Sequence, residues 1–389
     1  MLPLSLLFKR FLKIGATAYG GPAIAGHMKK IIVKDYGWIS EQEFLQGLAL
    51  CQMIPGATFV MLSSYIGYRL RGFWGAFLCP VGFVLPAFIL LVILSALYFK
   101  LGDLWFIQSL FKGLGAIVVA IVLNAFISFS KSVLKDWKVI LIAILSFIGL
   151  IGRWNIVLIF MLAAVAALLL RTKASKTSPA PEGPQEIREE RGNYLFLAVL
   201  AGLIGLVFAI CYFLNPQLSS LSLTLSKIGA LAFGGGFTIL PLFQYEVVDR
   251  FQLVSTKEFL DGIAMGQVTP GPISITATFL GYKLAGFYGA LMATIAIYTP
   301  GFFIVTLLIP HFDRVKGMKS IRTMEQGILG SFIGMLGLVL YNFGRITFVD
   351  IPSTIFFTAA FIALLKKIDL PYILLAGAVL SILVFGFLI

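Results

Sequence analysis

The sequence predicts an all-α, polytopic membrane protein made of two inverted-topology repeats with broken or re-entrant helices. Three observations carry this prediction: the composition, the spacing of apolar segments and an internal repeat. The 389 residues are 59% hydrophobic and only 12% charged, whereas soluble globular domains carry about 25% charged residues. Polar groups cannot cover the surface of such a chain, so lipid is its expected solvent. We expect a multi-pass membrane protein.

Apolar segments recur along the chain, and we expect about thirteen of them to be membrane segments. The shorter ones, near 138–152 and 351–365, come closest to the lower limit of a spanning length. The segments lie near residues 4–26, 43–68, 73–99, 105–130, 138–152, 154–170, 194–214, 219–241, 259–282, 286–310, 325–344, 351–365 and 370–388.

An internal repeat divides the chain into two homologous halves. The string KIGATAYGGP at Lys13–Pro22 returns as KIGALAFGGG at Lys227–Gly236, and SEQEFLQGLALCQMIPG at 40–56 returns as STKEFLDGIAMGQVTPG at 255–271. A further match links GYRLRGFWGA with GYKLAGFYGA at a nearly constant offset. The predicted organisation is an N-terminal transporter repeat (1–171), a polar linker (172–193), an extra connecting membrane helix (194–214) and a C-terminal repeat (215–389).

The second repeat is expected to be inverted because seven segments, an odd number, precede it. With a cytoplasmic N-terminus, most of the 30 basic residues then face the cytoplasm, as the positive-inside rule requires. The cluster Lys29, Lys30 and Lys34 is the main exception. It would disappear if the segment 4–26 dipped into the membrane and returned to the same side, but the parity of the later segments would then change.

Corresponding glycine and proline breaks mark the candidate site. Gly20-Gly21-Pro22 matches Gly234-Gly235-Gly236, and Pro55-Gly56 matches Pro270-Gly271-Pro272. Secondary transporters with inverted repeats bind substrate near the bilayer midplane, where helices are interrupted. A helix that restarts after such a break points its first N–H groups outward with a partial positive charge, which suits an anion. The alternative is that the glycines only permit close packing and the prolines only kink helices.

Polar side chains near the breaks complete the predicted oxyanion site. Lys13 and Lys227 would supply positive charge, unless they snorkel to the interface, and glutamines and hydroxyls would donate hydrogen bonds. Asp261 and Glu325 are candidate proton or cation carriers, while Glu43 and Glu258 precede their segments as helix caps. The predicted substrate-binding set is Lys13, Gly20, Gly21, Pro22, Gln52, Pro55, Gly56, Thr58, Lys227, Gly234, Gly235, Gly236, Gln267, Thr269, Pro270, Gly271, Pro272 and Ser274.

No enzymatic pattern emerges from the sequence. It contains no G-x-x-x-x-G-K-[ST] nucleotide loop and no H-E-x-x-H metal motif, and its three cysteines are scattered. We therefore expect no catalytic residues, no metal and no cofactor. The net charge of +13 lies mainly between apolar segments, so nucleic acid is not an expected partner. The expected partners are an oxyanion substrate, membrane lipids and a second copy in a homodimer.

The repeated strings resemble the chromate ion transporter family. The resemblance rests on FLKIGATAYGGP, GWISEQEFLQGLALCQMIPG, LAFGGGFTILPL and EFLDGIAMGQVTPGPISITATFLGYKLAGFYGA. It implies a two-repeat inner-membrane carrier that exports chromate, a sulfate-like dianion, by ion exchange or a proton gradient. The family's Gly-Gly-Pro and Pro-Gly-Pro motifs fall on Gly20–Pro22 and Pro270–Pro272.

Two alternatives stay open at this point. In the first half the chain reads Pro55-Gly56-Ala57 where the family commonly carries Pro-Gly-Pro, so sulfate or another oxyanion is an alternative substrate. A lipid-handling protein such as a scramblase is the alternative from a different functional class. It would need an outward-facing polar groove instead of an enclosed polar pocket.

Overall fold

The computed structural model describes residues 2–102, 104–170, 172, 194–233, 236–311 and 319–386, and this part of the chain is helical without strands. Fifteen α-helices are described: α1 (Leu4–Thr17), α2 (Gly21–Lys29), α3 (Glu41–Met53), α4 (Thr58–Leu101), α5 (Trp105–Val133), α6 (Trp137–Ile151), α7 (Ile156–Leu169), α8 (Tyr194–Leu214), α9 (Pro216–Leu231), α10 (Ile239–Phe243), α11 (Thr256–Val268), α12 (Thr276–Leu308), α13 (Lys319–Thr347), α14 (Ile351–Leu365) and α15 (Leu370–Gly386). Short π-helical segments follow α2 (Lys30–Asp35) and α10 (Gln244–Arg250), and 3-10 turns cover Gly236–Thr238, Ile273–Ile275 and Ile309–His311.

These helices form two compact units, and each unit draws on both sequence repeats. Among the described residues, the first unit comprises 2–92, 194–233 with 236, and 269–311. The second comprises 93–102, 104–170, 172, 237–268 and 319–386. The compact units therefore do not follow the predicted boundaries at 171 and 215. Those boundaries describe homology along the sequence, and each repeat contributes its first helix to the first unit.

The predicted segment 4–26 is a helical hairpin and not one continuous helix. The Thr17 hydroxyl lies 2.8 Å from Nε2 of His27, and the Arg10 guanidinium lies 4.9 Å from the centre of the Tyr36 ring. Both contacts require the chain to fold back along α1 after the turn at Gly20. The π-helical segment that carries Lys30 and Lys34 belongs to this returning arm.

The predicted segment 43–68 also folds back on itself. The N-terminus of α3 is closed by a capping box between Ser40 and Glu43, and Glu43 also forms an ion pair with Arg69 near the end of the next helical stretch. Midway along, a Cβ built on Gly47 would lie 2.3 Å from the Tyr65 ring. The two helical arms therefore run side by side and meet at the Pro55–Gly56 break. A single crossing over 43–68, as the sequence predicted, is wrong because the break reverses the chain direction.

The capping role predicted for the two glutamates is confirmed. In α11 the Glu258 N–H donates to Ser255 Oγ at 3.1 Å, and the Ser255 N–H donates to Glu258 Oε2 at 2.8 Å. The same reciprocal pair closes α3. Each bond satisfies a backbone donor that the first helical turn leaves without a partner.

Helices α4 and α12 each contain a tight reversal at an equivalent position. Arg71 and Gly72 have φ/ψ of −148°/29° and 57°/−146°, and Ala285 and Gly286 repeat these values closely at −147°/33° and 56°/−140°. A Cβ on Gly67 would meet the Gly75 carbonyl oxygen at 2.1 Å, although eight residues of continuous helix would span about 12 Å. Each element is therefore two helices joined by a turn.

Glycines bring the helices of the first unit into backbone contact. A Cβ on Gly15 of α1 would lie 2.1 Å from the Phe83 carbonyl oxygen in α4. A Cβ on Gly229 of α9 would lie 2.1 Å from the Ile297 carbonyl oxygen in α12. Small residues allow such close approach in membrane proteins, where lipid removes the hydrophobic drive for helices to associate. The same contact thus occurs at equivalent positions of the two repeats.

The second unit uses the same kind of packing around α13. Gly327 and Gly334 approach the carbonyl oxygens of Ala163 and Ala143, so that α13 packs against both α7 and α6. At another interface of this unit, Ser381 of α15 accepts the Gly113 N–H of α5 at 3.0 Å. The core of the unit therefore depends on small side chains that admit backbone atoms.

Five helical segments in the described residues are long and apolar enough to cross a membrane: Thr58–Leu101, Trp105–Val133, Phe196–Phe213, Ile273–Leu308 and Arg322–Thr347. Four shorter apolar helices accompany them: Trp137–Ile151, Ile156–Leu169, Ile351–Leu365 and Leu370–Gly386. These lengths agree with a polytopic membrane protein. The number of thirteen membrane segments and the inverted topology stay predictions.

The glycine contacts predict a stability difference. Gly15→Ala and Gly229→Ala should each destabilise the protein by about 1–3 kcal/mol, because overpacking forces helices apart. Gly26→Ala, in a helical position with open space around it, should be neutral or slightly stabilising. The measurement is the temperature at which the buried thiols of Cys51 and Cys79 react with a dye in detergent. Equal midpoints for all three variants would contradict the packing assignment.

Candidate functional site

Four chain breaks lie in the first unit. They follow α1 (18–20), separate α3 from α4 (54–57), follow α9 (from 232) and follow α11 (269–272). Each break leaves backbone groups without an intrahelical partner, and in lipid such groups cost several kcal/mol unless protein or water satisfies them. Gly234 and Gly235 of the predicted site lie outside the described residues.

Two crossed backbone hydrogen bonds join these breaks in pairs. The Gly56 N–H donates to the Ala232 carbonyl oxygen at 2.7 Å, and the Gly271 N–H donates to the Ala18 carbonyl oxygen at 2.7 Å. Ala18 and Ala232 are the C-terminal capping residues of α1 and α9. The break of each repeat is therefore held by the end of the first helix of the other repeat.

Side-chain packing repeats this crossed arrangement. A Cβ on Gly56, whose φ is +136°, would lie 2.7 Å from Met61 Sδ and 3.0 Å from the Gly301 Cα. A Cβ on Gly271, with φ +110°, would lie 3.1 Å from the Ala87 Cβ. Ala87 and Gly301 occupy the same position of the two repeats. Only glycine adopts these φ values without strain, so geometry and space both require it at the two breaks.

The crossed bonds correct one part of the sequence-based site. The amide hydrogens of Gly56 and Gly271 were expected to stand bare toward an anion. They are already paired, because each break must satisfy its freed donor and the end of a neighbouring helix supplies a freed acceptor. These two glycines shape the site through their backbone, and an anion would have to be held by other donors.

The start of α4 offers such donors. The first hydrogen bond of this helix runs from the Met61 N–H to the Ala57 carbonyl oxygen at 2.9 Å, so the amides of residues 57–60 precede the first intrahelical donor. The Thr58 side chain is only 5% exposed, and its hydroxyl has no hydrogen-bond partner in the described part of the protein. A buried hydroxyl without a partner is costly, and here it adjoins a helix N-terminus, where anions are favoured.

Most of the remaining predicted residues of the first unit are buried or half-buried. Thr269, Pro270, Gly271, Pro272 and Ser274 are buried, Pro55 and Gly236 are half-buried, and Gly20 borders the α2 N-terminus. Gly21 and Pro22 begin α2. The Ser274 hydroxyl donates to the Tyr298 hydroxyl at 3.1 Å, so it is engaged within the protein.

The two predicted lysines have different environments. The Lys13 side chain is exposed, and Lys227 is half-buried and has contacts of its own. Lys13 lies on α1 before the Ala18 break, and the Thr17 hydroxyl donates to the Lys13 carbonyl oxygen. Neither side chain is fully buried, so the role of both lysines in binding an anion stays a prediction.

The two predicted glutamines are also unlike one another. Gln52 is exposed on α3. Gln267 belongs to the second unit, is 5% exposed, and its Nε2 has no hydrogen-bond partner among the described residues. The structure therefore supports a free polar group at Gln267 but gives Gln52 a solvent- or lipid-facing position.

Sequence reasoning missed the residues that accept the crossed bonds. Ala18 and Ala232 were not among the candidates, although both repeats carry alanine at this position in KIGATA and KIGALA. An alanine contributes only its carbonyl group here, and residue type does not reveal which backbone oxygen accepts a distant donor. Tyr298 was missed for another reason, since valine stands at the equivalent position of the first repeat.

The comparisons with known proteins agree on one family. The family model for the chromate transporter matches residues 5–169 and 219–382. The chain is 35% identical to an uncharacterized transporter of Methanocaldococcus jannaschii, over 97% of this chain and 94% of the relative. It is 30% identical to the chromate transport protein of Cupriavidus metallidurans, over 97% and 92% of the two chains.

A third relative extends the same pattern to another lineage. The chain is 31% identical to the probable chromate transport protein of Synechococcus elongatus, over 98% of this chain and 95% of the relative. No solved structure matches the chain. The matched ranges of the family model cover both repeats, including all four chain breaks described above. This protein is a membrane protein of the chromate transporter family.

Proposed function

We propose that this protein carries chromate across the cell inner membrane as a secondary transporter. The observation that carries the proposal is the crossed pairing of the Gly56 and Gly271 breaks, next to a buried Thr58 hydroxyl that has no hydrogen-bond partner among the described residues, in a chain of the chromate transporter family. Chromate transport proteins of two bacteria, one of them named as probable, align with nearly the whole chain. Export driven by ion exchange or a proton gradient fits the family resemblance.

A tetrahedral dianion suits the donors at the start of α4. Amide N–H groups and hydroxyls bind anions through several directed hydrogen bonds, without a neutralising lysine in contact. A site of this kind can release its substrate, because no buried ion pair must be broken. Lys13 and Lys227 then raise the local concentration of anions from the edge of the site.

The hairpins of the first repeat are compatible with the proposed inverted topology. If the arms at 4–35 and 41–70 enter the membrane and return, each adds no net crossing. Removing two segments from the predicted seven leaves an odd number, so the second repeat stays inverted. The return of the first hairpin also brings Lys29, Lys30 and Lys34 to the cytoplasmic side, which removes the main exception to the positive-inside rule. A homodimer is compatible with this topology.

Purified protein in liposomes should move chromate. We expect uptake of labelled chromate into proteoliposomes above the rate of protein-free vesicles, with unlabelled sulfate as a competitor of the same shape and charge. Sulfate flux that exceeds chromate flux would assign the site to sulfate. Flip of labelled lipids without flux of either anion would contradict the transporter proposal and support a lipid-handling function.

Removing the Thr58 hydroxyl should weaken substrate binding. Thr58→Val keeps the shape, and we expect the chromate concentration for half-maximal flux to rise by about tenfold to a hundredfold, because a hydrogen bond to a charged group contributes roughly 1.5–3 kcal/mol. The matched control is Thr358→Val, at an exposed helical threonine whose hydroxyl bonds its own helix. An unchanged half-maximal concentration in Thr58→Val would remove this hydroxyl from the site.

The two lysines should have a salt-dependent effect. Lys13→Ala and Lys227→Ala should lower chromate affinity by up to about fivefold at low ionic strength, since exposed charges contribute at most about 1 kcal/mol. The loss should shrink as added salt screens the field. Lys9→Ala, an exposed lysine one turn earlier on α1, is the control. Wild-type affinity in both variants at low salt would exclude a role for these charges.

A further inference from the structure

The carboxyl group of Asp261 is buried in the second unit. Asp261 of α11 is 3% exposed. The Tyr98 hydroxyl donates to Asp261 Oδ2 at 2.8 Å. No lysine or arginine nitrogen of the described chain forms an ion pair with it within 4.0 Å. A buried carboxylate with one neutral donor is poorly stabilised in its ionised form.

Asp261 lies on a helix that is packed on several sides. Helix α11 packs against α5, α13, α15 and the π-helical segment after α10, and its Leu260 faces the Gly115 position of α5. The charged groups that act on Asp261 are Lys257 and Glu258 of its own helix, with opposite signs. The other ionisable side chains on the packed elements form no hydrogen bond or ion pair with Asp261 in the described structure: Lys112, Lys131, Glu246, Asp249, Arg250, Arg322, Glu325 and Arg345.

Only one of the two repeats carries a carboxyl group at this position. Asp261 stands in EFLDG, and the first repeat reads EFLQG with Gln46 at the same place. Gln46 is also buried, at 9% exposure. A neutral amide therefore satisfies the packing and polarity of this position in one repeat. The second repeat carries a group of similar size that can bind and release a proton.

We propose that Asp261 is the proton-binding site that couples proton movement to oxyanion transport, with Tyr98 as its positioning residue. This inference rests on the proposed transport function. A carboxyl group that is neutral in an apolar environment and ionised when water reaches it can carry a proton from one side to the other. Tyr98 selects the orientation of the carboxylate and stabilises its ionised form through the hydrogen bond.

The chemical step is a reversible proton transfer. A proton from water binds one Asp261 carboxylate oxygen and gives the neutral acid; its return to water regenerates the carboxylate. Tyr98 keeps its own proton, and only the geometry of its hydrogen bond to the Asp261 carboxyl group changes. No oxidant, reductant or covalent intermediate takes part, and chromate keeps its oxidation state.

Paired flux measurements test the assignment. Full-length protein is reconstituted with a pH dye inside the vesicles, the membrane potential is clamped, and labelled chromate and internal pH are followed together. We expect protons to move together with chromate in the wild type. In Asp261→Asn, the proton movement that accompanies chromate flux should fall to the level of protein-free vesicles, so that the ratio of protons to chromate approaches zero. Asp261→Glu should restore the ratio. The control Asp249→Asn, which removes an exposed carboxyl group of the π-helical segment after α10, should keep it.

The Tyr98→Phe variant supplies a second readout. Without the hydroxyl, the ionised carboxylate loses the hydrogen bond that stabilises it, so the pH midpoint of proton-coupled flux should move to higher pH. A purely structural role of Tyr98 would lower the rate without moving the midpoint. An unchanged midpoint in a folded Tyr98→Phe protein would overturn its positioning role.

Infrared spectroscopy keeps the proposal testable if Asp261→Asn moves no chromate. The wild type should show a carboxylic-acid band that titrates with pH and is missing in Asp261→Asn, whether or not transport is active. A wild-type proton ratio in Asp261→Asn, or the absence of such a band, would overturn the inference. Chromate flux without proton movement in the wild type would also overturn it, while leaving the proposed transport function intact. Absence of any chromate flux in the wild type would instead contradict the function itself.

Discussion

The pairing of backbone groups at interrupted helices is the constraint on which the rest of the first unit depends. In lipid, a freed N–H or carbonyl group has no water to bond, so every break must find a partner within the protein. Here the donors at Gly56 and Gly271 find the terminal carbonyl groups of α9 and α1. Each repeat therefore stabilises the break of the other, and neither hairpin tip could adopt its observed backbone pairing alone.

This crossed pairing separates the structural and functional roles of the breaks. The two glycine amides hold the breaks at Gly56 and Gly271, and their positive φ values bring these breaks against Gly301 and Ala87. In the described part of the first unit, the first amides of α4 and the hydroxyl of Thr58 stay available as donors. Under the proposed function, an anion held this way would be recognised by the geometry of neutral dipoles, and Lys13 and Lys227 would affect mainly its approach. That division suits a carrier, which must bind a dianion and also release it.

The repeats are alike in backbone and unlike in charge. The turn angles at Gly72 and Gly286 agree closely, and the capping boxes of α3 and α11 use the same residue types. In contrast, Gln46 of the first repeat stands at the position that is equivalent to Asp261 of the second. Backbone symmetry follows from shared packing requirements, whereas a transport cycle needs a direction. An ionisable group that is present in only one of the two repeats makes the two halves chemically different, while their backbones stay alike.

The sequence by itself determined the helical membrane class, the two repeats, the positions of the breaks and the capping glutamates, because hydropathy, glycine, proline and capping residues act over a few neighbouring positions. It did not reveal that the stretches at 4–35 and 41–70 reverse, since an apolar run reads the same whether it crosses or returns. Nor did it reveal the acceptors at Ala18 and Ala232, the engaged amides of Gly56 and Gly271, or the contact between Tyr98 and Asp261. These were decided only by tertiary structure, because each joins groups that are distant along the chain and whose pairing depends on how whole helices pack.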